Sequence, residues 1–181
     1  MIYLDNGATS LHKPPAVAAA VRSAMHRCAN PGRGGYGAAM EAAKTVLQCR
    51  ERAAELFDCS AEQVVFTQNC TQGLNTAIQS LVKPGQRVAI SGFEHNAVTR
   101  TLHHYQNEGL IKVVELSVNK ELTYDIQRIR FQFETTPPDF VIVSHASNVI
   151  GLIAPVEEIF MLAKEFHATT LLDMAQTAGL V

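Results

Sequence analysis

Four apolar runs in this chain lead into side chains able to do acid–base or anion chemistry. The run "VVFT" leads to Asn69, Cys70, Thr71 and Gln72, and "RVAIS" leads through Gly92 and Phe93 to Glu94, His95 and Asn96. "FVIVS" is followed by His145, Ser147 and Asn148, and "TTLL" by Asp173 and Gln176. An imidazole moves protons near neutral pH, a carboxylate favours a nearby cation, and amides orient a ligand by hydrogen bonds. The stretch around Thr71 reads as a helix start directly after a strand. Such a start leaves backbone N–H groups unpaired and carries partial positive charge, which suits a phosphate. Thr71 adds a hydroxyl, and Gly73 allows close backbone approach. Taken singly, each feature has a plainer account: a helix capped by Asn69 or Thr71, a structural histidine, Asn148 folding its own turn, Asp173 as an N-cap. Taken together, an anion site, a buried acid and an imidazole point to a phosphorylated heteroaromatic ligand.

Such residues need a scaffold that gathers strand ends, and the chain alternates helix and strand. Pro14 and Pro15 suit a first helical turn, and "AVAAAVRSAMHRC" continues it. In "AAMEAAKTVLQCRERAAELF", Met40, Ala43, Leu47, Ala54 and Phe57 recur near helical spacing. "QVVFT", "RVAIS", "IKVVEL", "FVIVS" and "TTLLD" lack clean in–out alternation, as expected of parallel strands covered on both faces. Helices are predicted between them, near 71–81, 96–107, 124–133 and 155–166. This order predicts an α/β fold, a three-layer αβα sandwich with a mostly parallel sheet. Ligands gather beyond the carboxyl ends of strands in such sheets, which is where the polar residues fall.

The bulk composition narrows the function. With 181 residues and 47 % hydrophobic content, the chain suits about one soluble domain. A net charge of −2 without a basic cluster argues against nucleic acid. Asp5 interrupts the first apolar residues, so no leader is read, and no run is long enough to span a bilayer. The four cysteines, Cys28, Cys49, Cys59 and Cys70, form no CxxC pair, which argues against a metal site and a disulfide scaffold. They read as small buried or half-buried residues in a reducing cytoplasm. "GRGGYG", from Gly32 to Gly37, satisfies G-x-G-x-x-G but follows a helix and Asn30–Pro31 instead of a strand. It reads as a loop carrying Arg33, without the dinucleotide context.

"YLDNGATS", "NPGRGG", "VVFTQNCTQGLN", "EHNAV", "SHASNVIG" and "LLDMAQTAG" follow one another in this order. In order and rough spacing they resemble the class V aminotransferase-like family, and within it the cysteine desulfurases and selenocysteine lyases. The resemblance implies pyridoxal 5'-phosphate (PLP) as cofactor and the large domain of a fold-type-I aminotransferase. Asp173 would then pair with the pyridine nitrogen, His95 would lie against the ring and move protons, and Gln176 would bond the phenolic oxygen. Asn148 would lie near that oxygen or the substrate carboxylate. Cys70, Thr71 and Gln72 would surround the phosphate, while Asn6, Gly7, Ala8 and Arg33 would face the substrate. The implied division is an N-terminal segment and substrate-side loop over 1–37 and an incomplete PLP-binding domain over 38–181.

The resemblance also implies a cysteine substrate, alanine and persulfide sulfur as products, a homodimer and a sulfur-accepting protein. Other class V aminotransferase or PLP lyase chemistry fits the same frame, as does a non-catalytic phosphate-ligand or interaction fragment. Gly7, Tyr36, Asn69, Cys70 and Met174 depart from the family pattern, and Asn69 bears on the phosphate turn. Every lysine precedes Asp173, and none stands in the context of the family's Schiff-base lysine. The expectation is therefore the N-terminal portion of a longer enzyme, inactive alone.

Overall fold

The computed structural model describes residues 2–180. Packing divides the chain into two compact units, one ending at Phe66 and the other beginning at Thr67. The N-terminal unit holds α1 (Pro15–Arg27), α2 (Gly37–Phe57) and one 3₁₀ turn (Ala61–Gln63). Pro15 occupies the first turn of α1, where its missing N–H has no intrahelical partner to lose. α2 ends at Asp58 in the left-handed conformation, φ 48°, a common way to stop a helix. Ser60 and Gln63 then form a reciprocal capping box. Expected division by role at 37/38 and division by packing at 66/67 therefore differ, and α2 lies with the N-terminal unit.

The second unit contains α3 (Cys70–Leu81), β1 (Arg87–Ile90), α4 (Asn96–Asn107), β2 (Lys112–Glu115), α5 (Ile126–Thr135), β3 (Phe140–Ser144), α6 (Val156–Glu165) and β4 (Thr169–Asp173). The four strands form a parallel sheet in the order β2-β1-β3-β4. Alternate residues of the central strands face different helices. Val88, Ile90, Phe140 and Ile142 pack with Leu74 and Ile78 of α3 and Val98 and Leu102 of α4. Ala89, Val141 and Val143 pack with Ile129 and Phe133 of α5 and Ile159 and Leu162 of α6. Both faces are covered, which explains the unbroken apolar runs and makes the three-layer αβα sandwich. Ile78, Val98, Ile129, Ile142 and Ile159 are fully buried, each contributing roughly 1.5–3 kcal/mol relative to exposure.

Two expectations need correction. "QVVFT" is not a strand: Gln63 ends the 3₁₀ turn, and residues 64–67 pair with no strand among the described residues. Val65 and Phe66 are 75 % and 51 % exposed. A β-run acquires strand structure only through ladder bonds to a neighbour. The cysteines are also more open than expected, since Cys28 alone is half-buried and Cys49, Cys59 and Cys70 are exposed. No helix among the described residues is long and apolar enough to cross a membrane.

Candidate functional site

The parallel sheet sets the carboxyl ends of β1, β3 and β4 side by side, and α3 starts beside them. A cavity of about 150 Å³ opens there, lined by Cys70, Thr71, Leu74, His95, Ser144, Ala146, Asn148, Asp173, Ala175 and Gln176.

Asp173 ends β4 and is 6 % exposed. Its Oδ1 accepts from the Ala175 N–H at 2.9 Å and from the Cys70 thiol at 3.6 Å. No hydrogen bond to Oδ2 is present among the described residues. Asp173 therefore caps a tight turn, not a helix, and keeps acceptor capacity on the cavity wall. Loss of water pushes the Cys70 thiol above its ordinary value, and the charge and hydrogen bond of Asp173 add to this. Cys70 thus faces the cavity as a neutral thiol donor, not as a thiolate nucleophile.

Asn69 settles which residue caps α3: its side chain accepts from the Gln72 N–H at 2.9 Å. Thr71 is relieved of that duty and lines the cavity one residue inside the helix start. The expectation of close approach at Gly73 changes meaning. A Cβ there would sit 3.3 Å from Thr67 Oγ1, so the glycine makes room for the chain itself. Gln72 does not line the cavity; its side-chain oxygen accepts from the Gln68 N–H at 2.8 Å and closes the helix start.

His95 is the N-cap of α4, its Nδ1 accepting from the Ala97 N–H at 3.1 Å. That bond assigns the ring proton to Nε2 in the neutral form. Asn148 lies at the mouth of a short excursion closed by an antiparallel bridge between Ala146 and Ile153. The turn is folded by the Ser147 hydroxyl, which accepts from Val149 and Ile150, so Asn148 is not needed for it. His145 does not line the cavity; its Nδ1 shares a 2.8 Å hydrogen bond with Thr177, tying β3 to the final turn. Asn6, Gly7 and Ala8 lie on an exposed turn, and Arg33 on an exposed loop, of the N-terminal unit.

Sequence reasoning placed Glu94 after a strand but gave it no role. Its Oε1 accepts from the Ser144 N–H at 2.7 Å and is hydrogen-bonded to the Ser91 hydroxyl, while Oε2 bonds the Ser144 hydroxyl at 2.7 Å. Burial raises its pKa; the bonds to Ser91 and Ser144 oppose this, and the charge of Asp173 adds to it. Tyr124 is raised by the same burial. The available signal was an acid three residues beyond Ser91, just past the apolar run of β1, where a carboxyl group needs partners.

The aminotransferase class-V family model matches residues 2–180. A probable cysteine desulfurase of Aeropyrum pernix is 32 % identical over 97 % of this chain and 44 % of its own length. The mitochondrial cysteine desulfurase of Arabidopsis thaliana is 30 % identical over 98 % of this chain and 40 % of its own length. The apo cysteine desulfurase of Thermococcus onnurineus superposes with a TM-score of 0.89 at 28 % identity, covering 98 % of this chain and 45 % of that one. A cystine C–S lyase solved with its product cysteine persulfide shares the fold, with a TM-score of 0.81 at 19 % identity over 98 % of this chain and 48 % of that one. The chain thus spans somewhat less than half the length of the curated relatives it matches. By the match over nearly all its residues, this chain belongs to the aminotransferase class-V family.

Proposed function

We propose that the cavity binds PLP and serves cysteine desulfurase chemistry, in which cysteine yields alanine and its sulfur is retained as a persulfide. The observation that carries this reading is Asp173, a buried carboxylate on the cavity wall with one oxygen that accepts no hydrogen bond among the described residues, facing the same space as the start of α3. This donor set fits the cofactor. Asp173 stabilises a proton on the ring nitrogen. Thr71 and the first amides of α3 bind the phosphate. His95 offers Nε2 for proton movement, Gln176 and Asn148 offer amides to ring and substrate oxygens, and Leu74 excludes water. Bound PLP supplies the electron sink that makes cleavage beside an amino-acid carbon accessible.

Relatives named as cysteine desulfurases support cysteine as substrate. A homodimer and a sulfur-accepting protein follow from the same reading. None of the described residues lining the cavity is a lysine. On this reading the 181 residues bind PLP without a covalent anchor and do not turn over cysteine by themselves.

The test is a PLP titration of the 181-residue chain followed by absorbance and intrinsic fluorescence. Saturable binding, competed by inorganic phosphate and leaving no single pyridoxyl-lysine after borohydride, is the expected result. Absence of saturable binding sinks the PLP assignment, and a specific adduct at one lysine sinks the non-covalent reading.

A further inference from the structure

We propose that Glu94 is a positioning residue of the cavity: its carboxyl group ties the carboxyl end of β1 to that of β3, and so sets His95 against Asp173.

The β1–β3 ladder runs through Val88, Ala89 and Ile90, paired with Phe140, Val141 and Ile142. β3 continues two residues further, to Ser144, without β1 beside it. There the Glu94 side chain takes over the neighbouring strand's role. One oxygen accepts from the Ser144 N–H at 2.7 Å, as a strand carbonyl would, and the other bonds the Ser144 hydroxyl at 2.7 Å. Ser91, 1 % exposed, holds the carboxyl group from the β1 side.

Both cavity walls depend on this junction. Ser144 stands in register opposite Asp173 in the β3–β4 ladder, so the tie reaches the acid through one pair of residues. His95 follows Glu94 directly and caps α4 through Ala97. A junction made by a side chain suits this place because the strands must part there to open the cavity. All three bonds reach the carboxyl group as an acceptor, from the Ser144 N–H, the Ser144 hydroxyl and the Ser91 hydroxyl. A glutamine amide keeps the accepting oxygen for the Ser144 N–H, and its NH₂ donates to the Ser144 hydroxyl once that hydroxyl rotates to accept. Alanine leaves the Ser144 N–H buried without a partner.

The experiment reads the imidazole nitrogens of His95 by ¹⁵N NMR in the full 181-residue chain without ligand, together with hydrogen exchange at the Ala97 amide. In Glu94→Ala, the split between an accepting Nδ1 and a protonated Nε2 collapses toward the average, and Ala97 exchanges about tenfold faster, the equivalent of roughly one net hydrogen bond. In Glu94→Gln both stay as in the parent chain. Ile159→Val, in the core on the opposite face of the sheet, is the control for general loosening and leaves both unmoved. Ser91→Ala removes one bond of the tie and moves both in the same direction by less, and it is the decisive variant if Glu94→Ala does not fold.

A PLP titration forms a second arm, and it alone rests on the cofactor reading. Glu94→Ala weakens PLP about tenfold and Glu94→Gln less than about threefold. If the parent chain binds no PLP while the His95 and Ala97 signals respond as stated, the cofactor reading falls and the positioning role stands. If alanine leaves those signals unchanged, or glutamine disturbs them as much as alanine, the positioning role falls.

Discussion

The Cys70 thiol donates to Oδ1 of Asp173 at 3.6 Å, joining the start of α3 to the end of β4 across 103 residues of chain. The contact places a neutral thiol beside the acid that faces the cavity, and it raises the thiol pKa above the ordinary value of 9.0. Cys70 should therefore alkylate more slowly than the exposed Cys49 and Cys59 at neutral pH. Asp173→Asn removes the charge, and Cys70 alkylation should rise about three- to tenfold, because each pKa unit changes the thiolate fraction about tenfold. Mass-spectrometric time courses with iodoacetamide check this; equal rates at the three cysteines would remove the contact from consideration.

Asp173→Asn should weaken PLP about tenfold, through loss of a charged partner for the ring nitrogen. Inhibition of the remaining binding by inorganic phosphate should keep its midpoint, because the phosphate is held at α3. A shifted phosphate midpoint would mean that Asp173 supports the helix start and not the ring.

The elevated Glu94 pKa makes a statement about stability. Its folded-state pKa lies above the ordinary 4.5, so the folded chain holds the proton more tightly than the unfolded one. Its contribution is fully present below 4.5 and is lost as pH rises through the folded value. Urea denaturation across this window should show a stability slope that falls with rising pH, and Glu94→Gln should flatten it. An unchanged slope in the glutamine variant would assign the pH dependence elsewhere.

Asn69→Ala removes the α3 cap and should cost about 1 kcal/mol by urea denaturation. It should also weaken PLP, since the amides meant for the phosphate lose their fixed start. Weakened PLP with unchanged stability would separate the two effects and make Asn69 a ligand contact instead of a cap.

Ile142→Ala, at a fully buried position of β3, should cost about 2–5 kcal/mol. It tests whether the face shared with α3 and α4 is a packed core; a cost below 1 kcal/mol would show that it is not.

Much of the scaffold was legible in the residues. α4 runs from Asn96 to Asn107, as the predicted helix does, because a helical apolar pattern is a local signal. β1, β3 and β4 formed where short apolar runs stood, because a sheet covered on both faces asks only for continuous hydrophobicity. "VVFT" carried the same local signal and formed no strand, because pairing depends on a neighbour that no run of residues can specify by itself.

The candidate site divides along the same line. Thr71, His95, Asn148, Asp173 and Gln176 could be nominated from sequence because each follows an apolar run, and the sheet does bring them to one cavity. Gln72 could not be told from a cavity residue by sequence, since its turn toward Gln68 is a matter of side-chain packing. By itself the sequence determined the helices, the covered strands and the kind of chemistry at the strand ends. Only the tertiary structure decided that β1 lies between β2 and β3, that Ser144 stands opposite Asp173, and that Glu94 reaches Ser144 across 50 residues. Propensity, capping and periodicity act within a few residues, whereas register and side-chain ties arise from packing between distant segments.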